Sequence, residues 1–144
     1  MINIEDTIVI NCPIEKVFAF VADQMNAPLW QHDLLEVRRT TDGPLGIGTK
    51  HTAVRKFLGK RLELTNEYVQ YELNRQITFT GNGASHFEVS YRTETLPEGT
   101  QLTCRMQMEQ GGVLGLAEPL IAAVLKRDFA ANFRDLKAML ENPS

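Results

Sequence analysis

A long strand-like stretch followed by one helical stripe constrains the fold of this chain more than any other feature. Between Leu34 and Gly112, short runs rich in β-branched and aromatic residues are separated by turn signals, a spacing typical of an antiparallel meander. From Gly115 to about Glu141, apolar residues instead recur at helical spacing. Pro119 falls in the first turns of this helix, where proline is tolerated. The order of the two patterns predicts an antiparallel sheet packed against one long C-terminal helix.

The first third of the chain completes the α+β prediction. Residues 2–10 are rich in isoleucine and valine and predict a first strand. Pro13 suits a helix start, and the predicted helix runs to about Asp23. Residues 26–32 predict a second short helical turn that holds Trp30. We therefore expect a curved antiparallel sheet of about six to seven strands wrapped around the long helix, with two short helices after the first strand.

Composition narrows the possible functions. The chain has 144 residues, 43% of them apolar, and a formal net charge of −3. This length predicts a single domain over residues 1–144, and the absence of a basic excess argues against a nucleic-acid partner. No run approaches a transmembrane segment, and the acidic start MINIEDTIVI does not resemble a secretory signal. With Cys12 and Cys104 far apart and predicted to be free thiols, we expect a cytoplasmic protein.

Turn signals between the strands set an expected register. They lie at residues 41–48, 58–59, 72–75, 81–84 and 97–100. If residues 58–59 form the tip of a hairpin, Arg55 faces Leu62 and His51 faces Asn66 on the more apolar, inward face. The opposite face then pairs Lys50 with Glu67, which suits solvent.

Later turns extend the inward face. Taken as four-residue loops, the signals at 72–75 and 97–100 set Tyr68 opposite Phe79 and Val89 opposite Met108, with Tyr91 opposite Met106 in the same register. A two-residue turn at Asn82-Gly83 would point Phe87 away from this face. We therefore expect a longer or bulged connection there.

The predicted architecture implies a cavity. A helix is only about 10–12 Å across with its side chains, so one helix cannot easily fill a concave sheet. Cavities in such places bind ligands. The expected ligand-binding residues are Trp30, His51, Arg55, Leu64, Asn66, Tyr68, Phe79, Phe87, Val89, Tyr91, Met106, Met108, Leu120 and Val124.

Four polar residues of this set are candidates for catalysis, and each of them also has a purely structural interpretation. His51 would serve as an acid, a base or a ligand-orienting group, or it is an ordinary histidine near the cavity rim. Arg55 would pair with a ligand carboxylate, or it extends to solvent near the hairpin tip. Tyr68 and Tyr91 would present hydroxyl groups, or they are aromatic core residues. Trp30 either closes one end of the cavity or fills the junction between helix and sheet.

No cofactor or metal is expected. The three histidines, His32, His51 and His86, lie on separate elements without the local pairing typical of metal sites. The glycine-rich run at residues 43–48 precedes a strand rather than a helix. It therefore predicts a turn and not a phosphate-binding loop.

Several segments resemble a known superfamily. Residues 13–23, with Pro13, Val17, Phe18 and Asp23, and residues 26–30, ending in Trp30, are similar to the opening of START/Bet v 1-like helix-grip (SRPBCC) proteins. The similarity is greatest to the bacterial polyketide cyclase/dehydrase and lipid-transport branch, and residues 46–49 and 66–71 add to it. The resemblance implies the helix-grip fold and a hydrophobic ligand, but it supplies no family-wide catalytic motif.

Three functions follow as expectations. The first is binding of a lipid, polyketide or aromatic metabolite in the cavity. The second is a polyketide cyclase or dehydratase, which requires His51, Arg55, Tyr68 and Tyr91 to converge on one point of the cavity. The third is a protein-interaction module with no void under the long helix. A homodimer formed through an edge strand is compatible with each of them.

Overall fold

The computed structural model describes residues 1–83, 85–109 and 118–142. The strands are β1 (Ile2–Ile10), β2 (Leu34–Arg39), β3 (Lys50–Phe57), β4 (Lys60–Glu72), β5 (Gln76–Asn82), β6 (His86–Leu96) and β7 (Gly99–Met108). The helices are α1 (Ile14–Ala22), a 3₁₀ helix (Gln24–Leu29) and the long α2 (Glu118–Glu141).

The seven strands form one antiparallel sheet in the order β1-β7-β6-β5-β4-β3-β2. The connections between β2 and β7 are hairpins, and β1 closes the order by pairing with β7. Helix α1 packs on β6 and β7, the 3₁₀ helix packs on β2, and α2 packs along β1. This arrangement confirms the predicted curved sheet with one long C-terminal helix and two short helices after the first strand.

The β3–β4 hairpin has the predicted register. Arg55 pairs with Leu62, His51 with Asn66, and Lys50 with Glu67 across the strands. The turn at its tip has φ of +49° at Leu58 and +82° at Gly59, and positive values at both central residues define the type I′ turn that suits a hairpin.

The β4–β5 pair reaches its predicted partners by another route. Tyr68 lies opposite Phe79 as expected, but the connecting loop has three residues rather than four, because Glu72 already pairs with Gln76. A register shift between Tyr68 and Gln70 leaves Val69 unpaired. Such a bulge restores the alignment that the predicted longer loop would have given.

The predicted β6–β7 register is wrong by two residues. Leu96 pairs with Gly99, so the loop has two residues instead of four, and Val89 faces Met106 rather than Met108. Tyr91 accordingly faces Cys104. Because side chains alternate with a period of two, this shift changes the partners but keeps the same residues on the inward face.

Other boundaries differ slightly from the expectations. The second short helix ends at Leu29, one residue before Trp30, and Pro13 precedes the first helical residue of α1. Strand β5 ends at Asn82 and β6 begins at His86, which confirms a connection longer than two residues. The start predicted for the long helix, residues 115–117, lies outside the described residues. Within the ranges described here, no helix is both long and apolar enough to cross a membrane.

Candidate functional site

A cavity of about 160 Å³ lies between the concave face of the sheet and α2. Its wall is mainly apolar and includes aromatic rings from several strands. Ten of the residues predicted to bind a ligand line it: Trp30, Arg55, Leu64, Asn66, Phe79, Phe87, Val89, Tyr91, Met106 and Met108. A protein-interaction module was expected to have no void under the long helix, so this cavity disfavours that hypothesis.

The face that α2 presents to the cavity differs from the prediction. Leu120 is 51% exposed, and Val124 packs on the edge of the core without lining the cavity. The wall contributed by this helix consists of Ile121, Leu125, Asp128, Phe129, Asn132 and Phe133. The apolar stripe is broad enough to fit two orientations of α2 about its own axis. The polar residues Asp128 and Asn132 favour the orientation that turns Leu120 and Val124 toward the cavity, which is not the one observed.

The segment from α1 to β2 supplies a wall that the sequence did not indicate. Its contributions are Val21, Gln24, Ala27, Gln31, Asp33, Leu34 and Val37. Further lining comes from sheet residues Ala53, Phe57, Leu62, Ser85 and Cys104. Ala53 and Cys104 lie two residues from the predicted inward-facing Arg55 and Met106, so strand alternation accounts for them as it does for Leu62, whereas Gln31 and Asp33 carry no periodic signal.

Trp30 joins the cavity wall to α2. Its indole lies 6.2 Å from the ring of Tyr91, edge to face, and 6.3 Å from the ring of Phe133. His32, two residues further along the chain, pairs with Asp135 of α2. Trp30 therefore lines the cavity and packs between a ring of the sheet and a ring of α2, at the junction between helix and sheet.

Arg55 is held in place by two neighbours rather than extending freely to solvent. Its guanidinium donates to the Asp33 carboxylate at 2.9 Å and to the Gln31 side-chain oxygen at 2.8 Å. The Asp33–Arg55 ion pair is largely shielded from solvent, since each side chain is about one-quarter exposed. Arg55 lines the cavity, but its charge already has a partner.

Tyr68 is an aromatic core residue, as its structural interpretation predicted, and its hydroxyl does not face the cavity. It is on the inward face of β4, yet it is fully buried under α1 and is not part of the cavity wall. Its hydroxyl donates to the backbone oxygen of Ala22 at 2.5 Å. Burial raises the pKa of Tyr68 well above its ordinary value, so the hydroxyl stays protonated and acts as a structural donor.

Tyr68→Phe should lower the free energy of unfolding by about 1–2 kcal/mol, because the Ala22 carbonyl loses its donor in a buried place. Urea unfolding measures this change. Tyr71→Phe is the matched control on the same strand, since the Tyr71 hydroxyl has no hydrogen-bond partner among the described residues. Equal effects of the two substitutions would show that the Tyr68 hydrogen bond contributes nothing.

His51 is also outside the cavity. It is 1% exposed, its ring lies 5.5 Å from that of Tyr68, and neither ring nitrogen has a hydrogen-bond partner within the described part of the chain. Burial and the nearby Arg39 guanidinium lower the pKa of His51 to about 4. The residue is therefore neutral at pH 7 and buried away from any ligand in the cavity.

A pair of carboxamides lies in the cavity wall, and one of them, Asn66, pairs with His51 across the strands. Gln24 and Asn66 exchange two hydrogen bonds, at 3.0 and 2.9 Å, and both line the cavity wall. Each amide therefore satisfies one donor and one acceptor of the other. Asn66 was predicted from its position opposite His51, whereas Gln24 carries no signal beyond its place after α1.

The four candidate catalytic residues do not converge on one point of the cavity. Arg55 and Tyr91 line it, but His51 and Tyr68 do not. Burial raises the pKa of Tyr91 well above its ordinary value and that of Cys104 to about 12, so both groups are protonated at neutral pH. The predicted acid or base therefore does not lie beside the cavity.

The seven-stranded sheet around a long C-terminal helix, with a cavity between them, is the START/Bet v 1 helix-grip fold. A family profile described as "Polyketide cyclase / dehydrase and lipid transport" matches residues 1–141. The chain belongs to this family. The description of the family supports, in general terms, either hydrophobic ligand binding or a cyclase role.

Solved structures with the same fold are distant in sequence. A START superfamily protein from Mycobacterium smegmatis has a TM-score of 0.83 at 15% identity, with 98% of each chain covered. The protein TTHA0849 from Thermus thermophilus has a TM-score of 0.81 at 15% identity, with 96% of each chain covered. The Zhui aromatase/cyclase from a Streptomyces species has a TM-score of 0.76 at 17% identity, covering 96% of this chain and 93% of that one. None of the curated protein sequences compared with this chain matches it.

Proposed function

We propose that this protein binds a hydrophobic small molecule, such as a lipid, polyketide or aromatic metabolite, in the cavity between the sheet and α2. The observation that carries the proposal is the cavity of about 160 Å³ with its mainly apolar wall. Removing apolar ligand surface from water there provides the driving force for binding. The methionines Met106 and Met108 give part of the wall an adaptable shape.

Trp30 offers a direct measurement of binding. It is the only tryptophan in the sequence and it lines the cavity, so a ligand that enters will change its fluorescence. We would titrate toluene, naphthalene and decanoate, and use calorimetry to confirm stoichiometry. Saturable binding of at least one of them supports the proposal, whereas no binding of any would contradict it.

Val89→Phe should weaken binding at least tenfold, because the larger ring occupies part of the cavity beside Met106. The fluorescence titration measures the loss, and thermal unfolding establishes that the variant is folded. Val69→Phe makes the same change on β4 at a side chain that is 45% exposed and is not part of the cavity wall. Unchanged affinity in Val89→Phe, or an equal loss in both variants, would contradict binding in this cavity.

The alternative function is a polyketide cyclase or dehydratase that uses the same cavity. Membership of the family and the likeness to an aromatase/cyclase favour it. The positions of His51 and Tyr68 outside the cavity wall remove two of the four candidate groups, since proton transfer requires a group within reach of the substrate. We therefore place ligand binding first. The cytoplasmic location and a homodimer remain predictions.

A further inference from the structure

We propose that the cavity selects an uncharged single-ring molecule with one hydrogen-bonding group and rejects the corresponding carboxylate. This inference rests on the proposed binding function and names the class of ligand. It comes from three properties of the wall: the charges on it, one unpartnered amide and its size.

The charges in the cavity wall do not favour an anion. Arg55 is the only cation among the described lining residues, and two carboxylates, Asp33 and Asp128, accompany it. Asp33 lies 2.9 Å from the guanidinium and compensates its charge, while Gln31 accepts a second hydrogen bond from it. A ligand carboxylate would lose its hydration without gaining an unpaired cation.

Asp128 adds a negative charge from the opposite wall, on α2. It pairs with the adjacent Arg127 at 3.4 Å, and the Arg127 side chain is 73% exposed. Since water screens an exposed charge far more than a charge beside an apolar cavity, Arg127 does not make the cavity attractive to anions. Both carboxylates therefore oppose an acidic ligand.

Asn132 provides the hydrogen-bonding group that the ligand would meet. It lines the cavity and is 7% exposed, and its side-chain amide has no hydrogen-bond partner within the described ranges. The Asn132 amide atoms are not among the fully enclosed unpartnered atoms, so a ligand group that bonds to them replaces a hydrogen bond to water inside an otherwise apolar cavity. A carboxamide offers both N–H donors and a carbonyl acceptor, which suits a hydroxyl or carbonyl group.

The size of the cavity limits the ligand to about one ring. An apolar cavity of about 150 Å³ in another protein binds benzene. The cavity of about 160 Å³ here accommodates a single ring with a small substituent rather than a fused polycyclic system.

The test compares four probes that share one ring: toluene, benzyl alcohol, benzoate and benzylammonium. We would titrate each into the full chain at pH 7 and follow Trp30 fluorescence. We expect benzyl alcohol to bind at least tenfold more tightly than benzoate, whereas the Asp128 carboxylate favours benzylammonium over benzoate. Binding of benzoate that equals or exceeds that of benzyl alcohol or benzylammonium would overturn the selectivity.

Two variants assign the selectivity to residues. Asn132→Leu should reduce the affinity for benzyl alcohol about fivefold, the effect of one hydrogen bond, while toluene binding is retained. Asp33→Asn should improve benzoate binding at least tenfold, because it removes the carboxylate paired with Arg55. Retained toluene binding in each variant establishes that the cavity is intact. If Asn132→Leu loses toluene binding, Asn132→Asp replaces it, and we expect weaker benzoate binding. If Asp33→Asn loses toluene binding, Asp33→Ser replaces it, and we expect stronger benzoate binding.

The outcomes separate this inference from the proposed function. If naphthalene or decanoate binds but none of the four single-ring probes does, the binding function stands and the inferred ligand class is wrong. If the selectivity is present but neither substitution changes it, the assignment to Asn132 and Asp33 is wrong. If no apolar probe of any size binds, the proposed function itself fails.

Discussion

Gly99→Ala is expected to lower the free energy of unfolding by about 4 kcal/mol, since it combines backbone strain with overpacking. Gly99 has φ of +140°, a conformation that residues with a Cβ atom rarely adopt. An added Cβ would also lie 2.2 Å from the backbone oxygen of Ile10 and 2.9 Å from the Cα of Asn11. Neither backbone atom can rotate away as a flexible side chain would.

The contact matters because Gly99 lies where two parts of the chain cross. It starts β7 directly after a two-residue loop, and the segment that leaves β1 passes against it. The neighbouring Thr100 hydroxyl donates to the Cys12 backbone oxygen at 2.7 Å, which fixes this crossing. Relief of the clash would have to disturb both the hairpin and the end of β1.

Gly46→Ala is the control for Gly99→Ala. A Cβ atom at Gly46 would have no heavy atom within 4 Å, and its φ lies outside the left-handed region. We expect a change within about 0.5 kcal/mol for this variant. Urea unfolding of both variants measures the difference, and a Gly99→Ala protein within about 1 kcal/mol of the wild type would refute the strain argument.

The β6–β7 loop also illustrates why part of the fold was predictable and part was not. The Leu58-Gly59 turn and the charge pair of Lys50 with Glu67 together specified the β3–β4 register to the residue. Near Gly99, the local pattern is only a cluster of turn-forming residues, which fits loops of two or four residues equally well. The two-residue loop places Gly99 at the crossing with β1, a tertiary contact that no local pattern encodes.

The candidate site was predictable where strand alternation decides the face. Phe79, Phe87 and Val89 line the cavity because every second residue of a strand points inward. Tyr68 and His51 also point inward, but the concave face is shared between α1 and α2. Alternation identifies the face of the sheet, and only the three-dimensional packing tells which helix covers a given residue.

Lowering the pH from 7 to 4 should reduce the free energy of unfolding by about 3 kcal/mol through His51 alone. Burial, together with the Arg39 guanidinium, lowers the pKa of His51 in the folded protein from its ordinary 6.5 to about 4, although the Asp23 carboxylate opposes this. Between these two values the unfolded chain binds more protons than the folded chain does. The stability is therefore fully present above pH 6.5 and is lost as the pH falls toward 4.

Substitution isolates the contribution of His51 from that of the carboxylates, which also titrate at low pH. His51→Phe keeps a ring beside Tyr68 but cannot bind a proton. Between pH 7 and pH 4, the wild type should therefore lose about 3 kcal/mol more of its free energy of unfolding than this variant does. His86→Phe makes the same substitution at an exposed histidine and is the matched control for the loss of an imidazole ring. Urea unfolding at half-unit pH steps measures the slopes. If the curves for His51→Phe and the wild type are parallel, His51 takes up its proton equally well in the folded and the unfolded protein. That result would contradict a buried, neutral imidazole, because burial lowers the pKa of a histidine.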